Sequence, residues 1–221
     1  MTSTNMLGDL TTRCEFVLAS SSPRRYEIIH DVLGVDPLRI MKPSFEEDLD
    51  KSLYLHRPLD YVADTCRGKA ESICSELADS GASPARPQVI ICSDTIVVDG
   101  EDRIYEKPQS HKQLIDNLHY FCYETSEPVR VATAVTIIVF KSPKEYKMSH
   151  LLDVTNLHFD NRLPKQFIER YSLFPGAMKA AGGITIQTAC GAMVSRIDGD
   201  YYTILGLPLN KLVVALANLD I

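Results

Sequence analysis

The sequence predicts an α/β domain: a mixed twisted sheet with flanking helices. Three observations lead there. Short apolar runs of strand character alternate with longer segments whose apolar residues recur at helical spacing. Two long strand-like runs, 129–140 and 146–159, are separated only by a polar turn at Ser142-Pro143, and so short a link makes neighbouring strands antiparallel. The 221 residues, 45% hydrophobic and 24% charged with 11 Gly and 12 Pro, suit one compact domain or two small lobes and exclude a collagen-like, coiled-coil or mainly disordered chain.

Taken in order, residues 1–14 are polar and aperiodic and predict a flexible tail, with a single domain spanning 15–221. Phe16-Val17-Leu18-Ala19 reads as a buried strand that stops at Ser20-Ser21-Ser22-Pro23. Ile28, Ile29, Val32 and Leu33 then mark a helix closed by Gly34. Leu59, Val62, Ala63, Cys66, Ala70, Ile73 and Leu77 form one face of a long helix ending before the 80–87 linker. Val89 to Cys92 and Ile96 to Val98 are strand-like, interrupted by the polar Ser93-Asp94-Thr95. A turn at Asp99-Gly100 and the stretch Glu106-Lys107-Pro108 precede a helix from Ser110, its N-cap, to Tyr120. After the hairpin, 163–174 is helical, the glycines at 182, 183 and 191 bracket a further strand pair, and 207–219 is an amphipathic closing helix.

With 23 Lys+Arg against 29 Asp+Glu, the net charge of −6 repels nucleic acid and acidic membrane surfaces. A phosphate-bearing ligand therefore needs a local basic site. The six cysteines are scattered without a C-x-x-C pair, and the N-terminus lacks the basic start and apolar stretch of a signal peptide. Both point to a reducing, cytoplasmic compartment. The most apolar window, 131–140, is far short of the roughly 20 residues that cross a bilayer, so no membrane partner is expected.

Chemistry concentrates in three places. In Ser20-Ser21-Ser22-Pro23-Arg24-Arg25, Ser22 suits N-cap and Pro23 suits N1, leaving free N–H groups where two guanidinium groups emerge. That composition makes an anion site and suits a polyphosphate; it also suits a plain capped helix with a solvated basic turn, or a disordered kinase target. Asp94, within an apolar stretch, must be paired, bind a metal, face a cleft or be held by backbone N–H groups in a bulge. The third is the acidic cluster Glu46-Glu47-Asp48, a pattern usually found on solvated faces. Lys69 and Lys107 are unremarkable singly. P-loop, Rossmann, zincin and α/β-hydrolase motifs are all absent, and the pairs His111/His119 and His150/His158 lack zinc-site spacing.

The ordered set Leu18-Ala19-Ser20-Ser21-Ser22-Pro23-Arg24-Arg25, Phe45-Glu46-Glu47, Arg67-Gly68-Lys69-Ala70, Ser93-Asp94-Thr95, Glu106-Lys107-Pro108, Ile186-Gln187, Ile197-Asp198-Gly199-Asp200-Tyr201-Tyr202 and Leu205-Gly206-Leu207-Pro208-Leu209 resembles the Maf family of nucleoside triphosphate pyrophosphatases. The likeness runs from Phe16 to about Leu216. It implies a fold like that of inosine triphosphatase, two lobes around a deep cleft. It also implies cleavage of the α–β phosphoanhydride bond of a nucleoside triphosphate, giving a monophosphate and pyrophosphate, as nucleotide house-cleaning. The cofactor implied is a divalent cation, Mg²⁺ first, with Mn²⁺ or Co²⁺ as alternatives. A homodimer is what the family suggests.

By position in that resemblance, Asp94 is the proton acceptor and Ser20, Ser22, Arg24 and Arg25 form the phosphate loop. Glu47 and Asp94 would hold the metal, while Lys69 and Lys107 would stabilise the departing pyrophosphate. Arg24, Thr95 and Gln187 match the subgroup acting on dTTP and UTP, with Thr95 and Gln187 on the base edge. One segment departs: where that subgroup carries D-K-A-G-A-Y-G-I-Q, this chain has Lys179, Ala180, Ile184 and Thr185 at the acidic, lysine, tyrosine and last glycine positions. The alternative function is a catalytically weakened nucleotide-binding regulator tied to cell division.

Overall fold

The computed structural model describes residues 4–46 and 48–221. Seven strands form one mixed sheet in the order β2 (Leu38–Ile40), β1 (Glu15–Ala19), β3 (Gln88–Val98), β5 (Val129–Ser142), β6 (Glu145–Phe159), β7 (Val194–Asp198), with β4 (Ile104–Tyr105) pairing the end of β3. β1 lies parallel between β2 and β3, and the remaining pairs are antiparallel. The expected hairpin is the β5–β6 pair, in register from Val129↔Leu157 to Ser142↔Glu145 with one irregularity.

Side-chain alternation divides the core. Val17 and Ala19 of β1, with Ile90, Cys92, Ile96 and Val98 of β3, pack beneath helix α3 (Pro58–Asp79), which contributes Tyr61, Val62, Cys66, Ala70 and Ile73. The intervening Phe16, Leu18, Val89 and Ile91 face the other way, onto Ile28, Ile29, Leu207 and Leu212. A third cluster gathers the far ends of β3, β5 and β6 under α4 (His111–His119) and α5 (Lys165–Ser172). Two lobes thus share the long central strands.

The local signals act largely as the sequence suggests. Ser110 Oγ accepts from Gln113 N at the start of α4. The helix after Pro23 is α2 (Pro23–Glu27), continued by a π-helical turn at Ile28–Val32. The stretch expected as a tail carries a short helix, α1 (Leu10–Arg13); Leu7 and Leu10 pack on the core, and Met6 N donates to Leu33 O.

One expectation is corrected. The glycines at 182 and 183 do not bracket a strand pair: they take φ of 60° and 81°, outside the strand region, and the chain forms short 3₁₀ turns over Ala177–Lys179, Ala181–Gly183 and Ala189–Met193 before the single strand β7. The closing helix expected over 207–219 is α7 (Leu209–Ala217); a short helix the sequence does not announce, α6 (Tyr201–Leu205), precedes it, the two divided by Gly206 at φ 104° and Pro208. Among the described residues no helix is long and apolar enough to cross a membrane, and all six cysteines are buried free thiols.

Candidate active site

Gln88–Val98 is one unbroken strand, and its pairing with β5 is continuous from Gln88↔Phe140 to Val98↔Arg130. Asp94 is therefore not a bulge residue. On the other side of β3, pairing with β1 stops at Ala19↔Cys92, and pairing with β4 begins only at Val97. Between these points β3 has no strand neighbour on that side among the described residues, and the Ser20–Arg25 loop leaves β1 at the same level. A gap in the sheet where the strand order changes is where α/β folds form ligand crevices.

A cleft of about 720 Å³ opens at this gap. Ser20, Ser22, Arg24, Arg25, Lys69, Asp94, Thr95, Lys107 and Gln187 all line it, so it brings together every expected site residue except Glu47, which lies outside the described residues. Its described lining carries six cationic side chains, Lys42 and Lys179 included, against the carboxylates of Asp94 and Glu106. A chain of net charge −6 thus holds a locally positive cavity, the field a small polyanion requires.

Because side chains alternate along β3, the Ser93-Asp94-Thr95 triplet serves both faces of the sheet. Asp94, in phase with Cys92 and Ile96, points to the α3 face, where Lys69 Nζ lies 2.6 Å from its Oδ1. Lys69 falls three residues after Cys66 and next to Ala70 on the helix's apolar stripe, which is why a lysine is only 7% exposed here. Asp94 Oδ2 has no hydrogen-bond partner among the described residues.

Ser93 and Thr95 point the other way and hold Arg25. Its Nη1 donates to Ser93 O at 2.9 Å and Ser20 Oγ at 3.1 Å, its Nη2 to Thr95 Oγ1 at 2.9 Å, and its Nε to Gly206 O at 3.1 Å. Ser93 Oγ donates to the same Gly206 O at 2.7 Å. A Cβ on Gly206 would stand 2.8 Å from Arg25 Nε, which explains a glycine there beyond its positive φ. Arg25 and Thr95, expected at the substrate, line the cleft with their polar groups engaged by the protein; Thr95 Oγ1 also bonds Thr133 Oγ1 at 3.0 Å.

Arg24 is the opposite case. Its guanidinium is half-buried and has no hydrogen-bond or ion-pair partner among the described residues. Burial, followed by the neighbouring Arg25 charge, lowers its pKa from the usual guanidinium value. Both effects disfavour the cation, so an anion placed there relieves them. Ser22 takes the N-cap position without a side-chain cap bond, and its N–H donates to Ser20 Oγ at 3.2 Å. Ser20 Oγ accepts two hydrogen bonds and keeps its own O–H to donate.

Lys107 is exposed, with its Nζ unpartnered among the described residues, on a strap pinned at the preceding residue. Glu106 accepts from Tyr61 Oη at 2.7 Å, pairs with Lys51 Nζ at 2.6 Å, and its carbonyl accepts from Gly182 N at 2.9 Å. Burial and the Glu106 carboxylate raise the Tyr61 pKa, so the phenol stays a donor. Gln187 is exposed on the cleft lining, together with Thr185 and Thr188. Lys42 and the lining residue Phe174 are not marked as site residues by the sequence, and Phe45 enters there only within the Phe45-Glu46-Glu47 motif; Lys42 follows a strand of only three residues, too short to show a period.

Among the described residues no three His, Cys, Asp or Glu side chains are grouped to hold a metal by themselves. The cleft does fit a hard divalent cation of the kind held by one or two carboxylates together with substrate phosphates, with Asp94 as the described donor.

Residues 15–219 match the family model described as Maf-like protein. The chain is 40% identical over 211 residues to a dTTP/UTP pyrophosphatase of Saccharomyces cerevisiae, covering 94% of this chain and 91% of that one. It is 32% identical to a dTTP/UTP pyrophosphatase of Clostridium perfringens, covering 93% and 97%. Among solved structures, the Staphylococcus aureus Ham1 protein aligns with a TM-score of 0.42 at 13% identity, covering 66% of this chain and 72% of that one.

Proposed function

Because the chain belongs to the Maf-like protein family, we propose that it is a nucleoside triphosphate pyrophosphatase of the dTTP/UTP type, a hydrolase acting on the α–β phosphoanhydride bond. The observation that carries this reading is the Lys69–Asp94 pair at the gap beside β3, in a cleft whose lining is mostly cationic. House-cleaning of nucleotide pools is the role that fits.

In the reaction, the oxygen of a water forms a bond to the α-phosphorus, the bond from that phosphorus to the α–β bridging oxygen breaks, and pyrophosphate departs with the bridging oxygen. Asp94 accepts the water's proton through Oδ2, while Lys69 holds Oδ1 and fixes the carboxylate's orientation. Arg24, with the Ser20 hydroxyl and first-turn N–H groups, grips the β and γ phosphates; Arg25 sets the shape of that loop from behind. Lys107, carried on the Glu106 strap, faces the charge that grows on the leaving group, a purely electrostatic role.

A divalent cation, with Mg²⁺ the first choice and Mn²⁺ or Co²⁺ as substitutes, would be held by Asp94 and, following the family pattern, Glu47, directly or through water. When bound it supplies Lewis acidity at the phosphoryl oxygens and lowers the pKa of water. Gln187, offering both donors and an acceptor at the exposed wall, reads the base edge.

The test is pyrophosphate release from a panel of nucleoside triphosphates with Mg²⁺ and then with chelator. UTP and dTTP lead the panel and chelator stops release. Binding of UTP without any pyrophosphate release would overturn the enzyme reading in favour of a nucleotide-binding regulator.

A further inference from the structure

The cleft has only two aromatic rings on its described lining, Phe45 and Phe174. Phe174 belongs to none of the three apolar clusters and is 40% exposed; its ring lies tilted against that of the buried Tyr171, centroids 6.2 Å apart, so core packing accounts for only part of it. It is nonetheless firmly placed. Its N–H donates to Tyr171 O at 2.8 Å and its carbonyl accepts from Ala177 N at 3.0 Å, closing the backbone on both sides.

The ring also has a built seat. Gly176 sits at φ −67°, a conformation open to every residue, so its backbone does not call for glycine. A Cβ at Gly176 would instead stand 2.4 Å from Phe174 Cε1. The glycine makes room for the ring. Tyr171 ties this turn to the wall that carries Gln187: its Oη donates to Gly183 O at 2.7 Å and bonds Thr185 Oγ1 at 2.6 Å, and Thr185 bonds Thr188. Phe174 and the segment that carries Gln187 are therefore one pre-organised unit of the cleft lining. Phe45, by contrast, lies against Gly68 next to Lys69, on the phosphate side.

We propose that Phe174 is a stacking platform for the nucleobase, supplying affinity without base selectivity while Gln187 reads the edge. Every base presents a π-face, and stacking on one aromatic ring is worth about tenfold or more in affinity. The proposal rests on the nucleotide reading of the cleft and deepens it.

Calorimetric titration of the full chain with two Mg²⁺-loaded probes tests it: α,β-methylene-UTP, which cannot be cleaved at the α–β bridge, and inorganic tripolyphosphate, which has no base. Phe174→Ala weakens binding of the nucleotide analogue about tenfold and leaves tripolyphosphate unchanged. Gly176→Ala, which keeps the ring but disturbs its seat, acts in the same direction, and Phe174→Tyr retains wild-type binding. Leu173→Ala, an exposed neighbour off the cleft lining, alters neither probe. Equal affinity of wild type and Phe174→Ala for the analogue overturns the proposal, as does an equal loss for tripolyphosphate. Failure of the enzyme reading shows separately, as wild-type protein that binds the analogue yet releases no pyrophosphate from UTP; wild-type protein that does not bind the analogue overturns both.

Discussion

Lys69 Nζ on α3 lies 2.6 Å from Asp94 Oδ1 on β3, with the two side chains 8% and 11% exposed. A pair this secluded is an orienting device as much as a charge pair, because the ammonium fixes one carboxylate oxygen and directs the other. Asp94→Asn retains an oxygen that Lys69 can use but cannot take up a proton in the reaction. Pyrophosphate release is expected to fall by about 10²–10⁴-fold, the usual share of a general base, while the melting temperature stays close to wild type. Initial rates and a thermal melt on the same preparation check both halves, and near wild-type turnover refutes the assignment of Asp94.

Arg24 and Arg25 are neighbours in sequence and opposites in structure. Arg25 joins the ends of β1 and α6 to the middle of β3 through four hydrogen bonds, whereas Arg24 has no partner among the described residues. Arg25→Ala leaves the carbonyls of Ser93 and Gly206 with fewer donors, and is expected to lower stability by about 2–4 kcal/mol. Arg25→Lys does not restore it, since one ammonium cannot span the fork. Arg24→Ala leaves stability unchanged and raises KM for UTP by about tenfold, the loss of one charge-assisted contact. Denaturant melts and Michaelis curves separate the two.

Much of this arrangement was legible in the sequence, and the parts that were not have physical reasons. The strand, tight loop, helix unit around Ser20 to Arg25 and the α3 stripe follow from local periodicity. Ser93-Asp94-Thr95 looked like an interruption because three polar residues in a buried run break the apolar pattern; in space they stand where β3 loses its β1 neighbour, so their side chains meet a cleft. The contact between Ser93 and Gly206 spans 113 positions, and no local pattern reports it. The strand pair expected near Gly182 does not form because two adjacent glycines permit the left-handed backbone found there, which no strand can adopt. Phe174 falls inside the helix expected over 163–174, but α5 ends at Ser172 and the turn that follows leaves the ring exposed.

The buried thiols make stability fall in alkali. Burial pushes Cys74 and Cys190 up to about 11 and Cys122 up to about 12, from an ordinary value of 9.0. A folded-state pKa raised above the unfolded one means the unfolded chain releases its thiol protons first. The stabilisation is therefore complete below pH 9.0 and is lost as pH climbs through about 11 to 12. Each such thiol adds a slope of up to about 1.4 kcal/mol per pH unit within that window. Urea melts from pH 8 upward are expected to show this decline, with a shallower slope in Cys122→Ala; a slope that Cys122→Ala leaves unaltered contradicts the assignment.

Gly68 stands inside α3, where glycine costs about 1 kcal/mol relative to alanine. Its retention has a visible cause: a Cβ at Gly68 would stand 2.4 Å from Phe45 Cε2, and the whole edge of that ring lies within 3 Å of the added carbon. Phe45 in turn lines the cleft, and its chain neighbour Ser44 is held to α3 by Glu76 Oε1 at 3.0 Å. Gly68→Ala therefore sets two effects against each other, a better helix former and a displaced ring. The ring's displacement moves the cleft wall next to Lys69, so turnover is expected to fall about tenfold while stability changes by less than about 1 kcal/mol. Phe45→Ala removes the obstacle, so the double variant Gly68→Ala with Phe45→Ala should be more stable than Phe45→Ala alone, by the helix-propensity difference. The two substitutions are then non-additive in both stability and rate, as expected for residues in contact. A four-membered cycle of melts and UTP turnover measures the coupling, and additive effects in both would show that the glycine is not there for the ring.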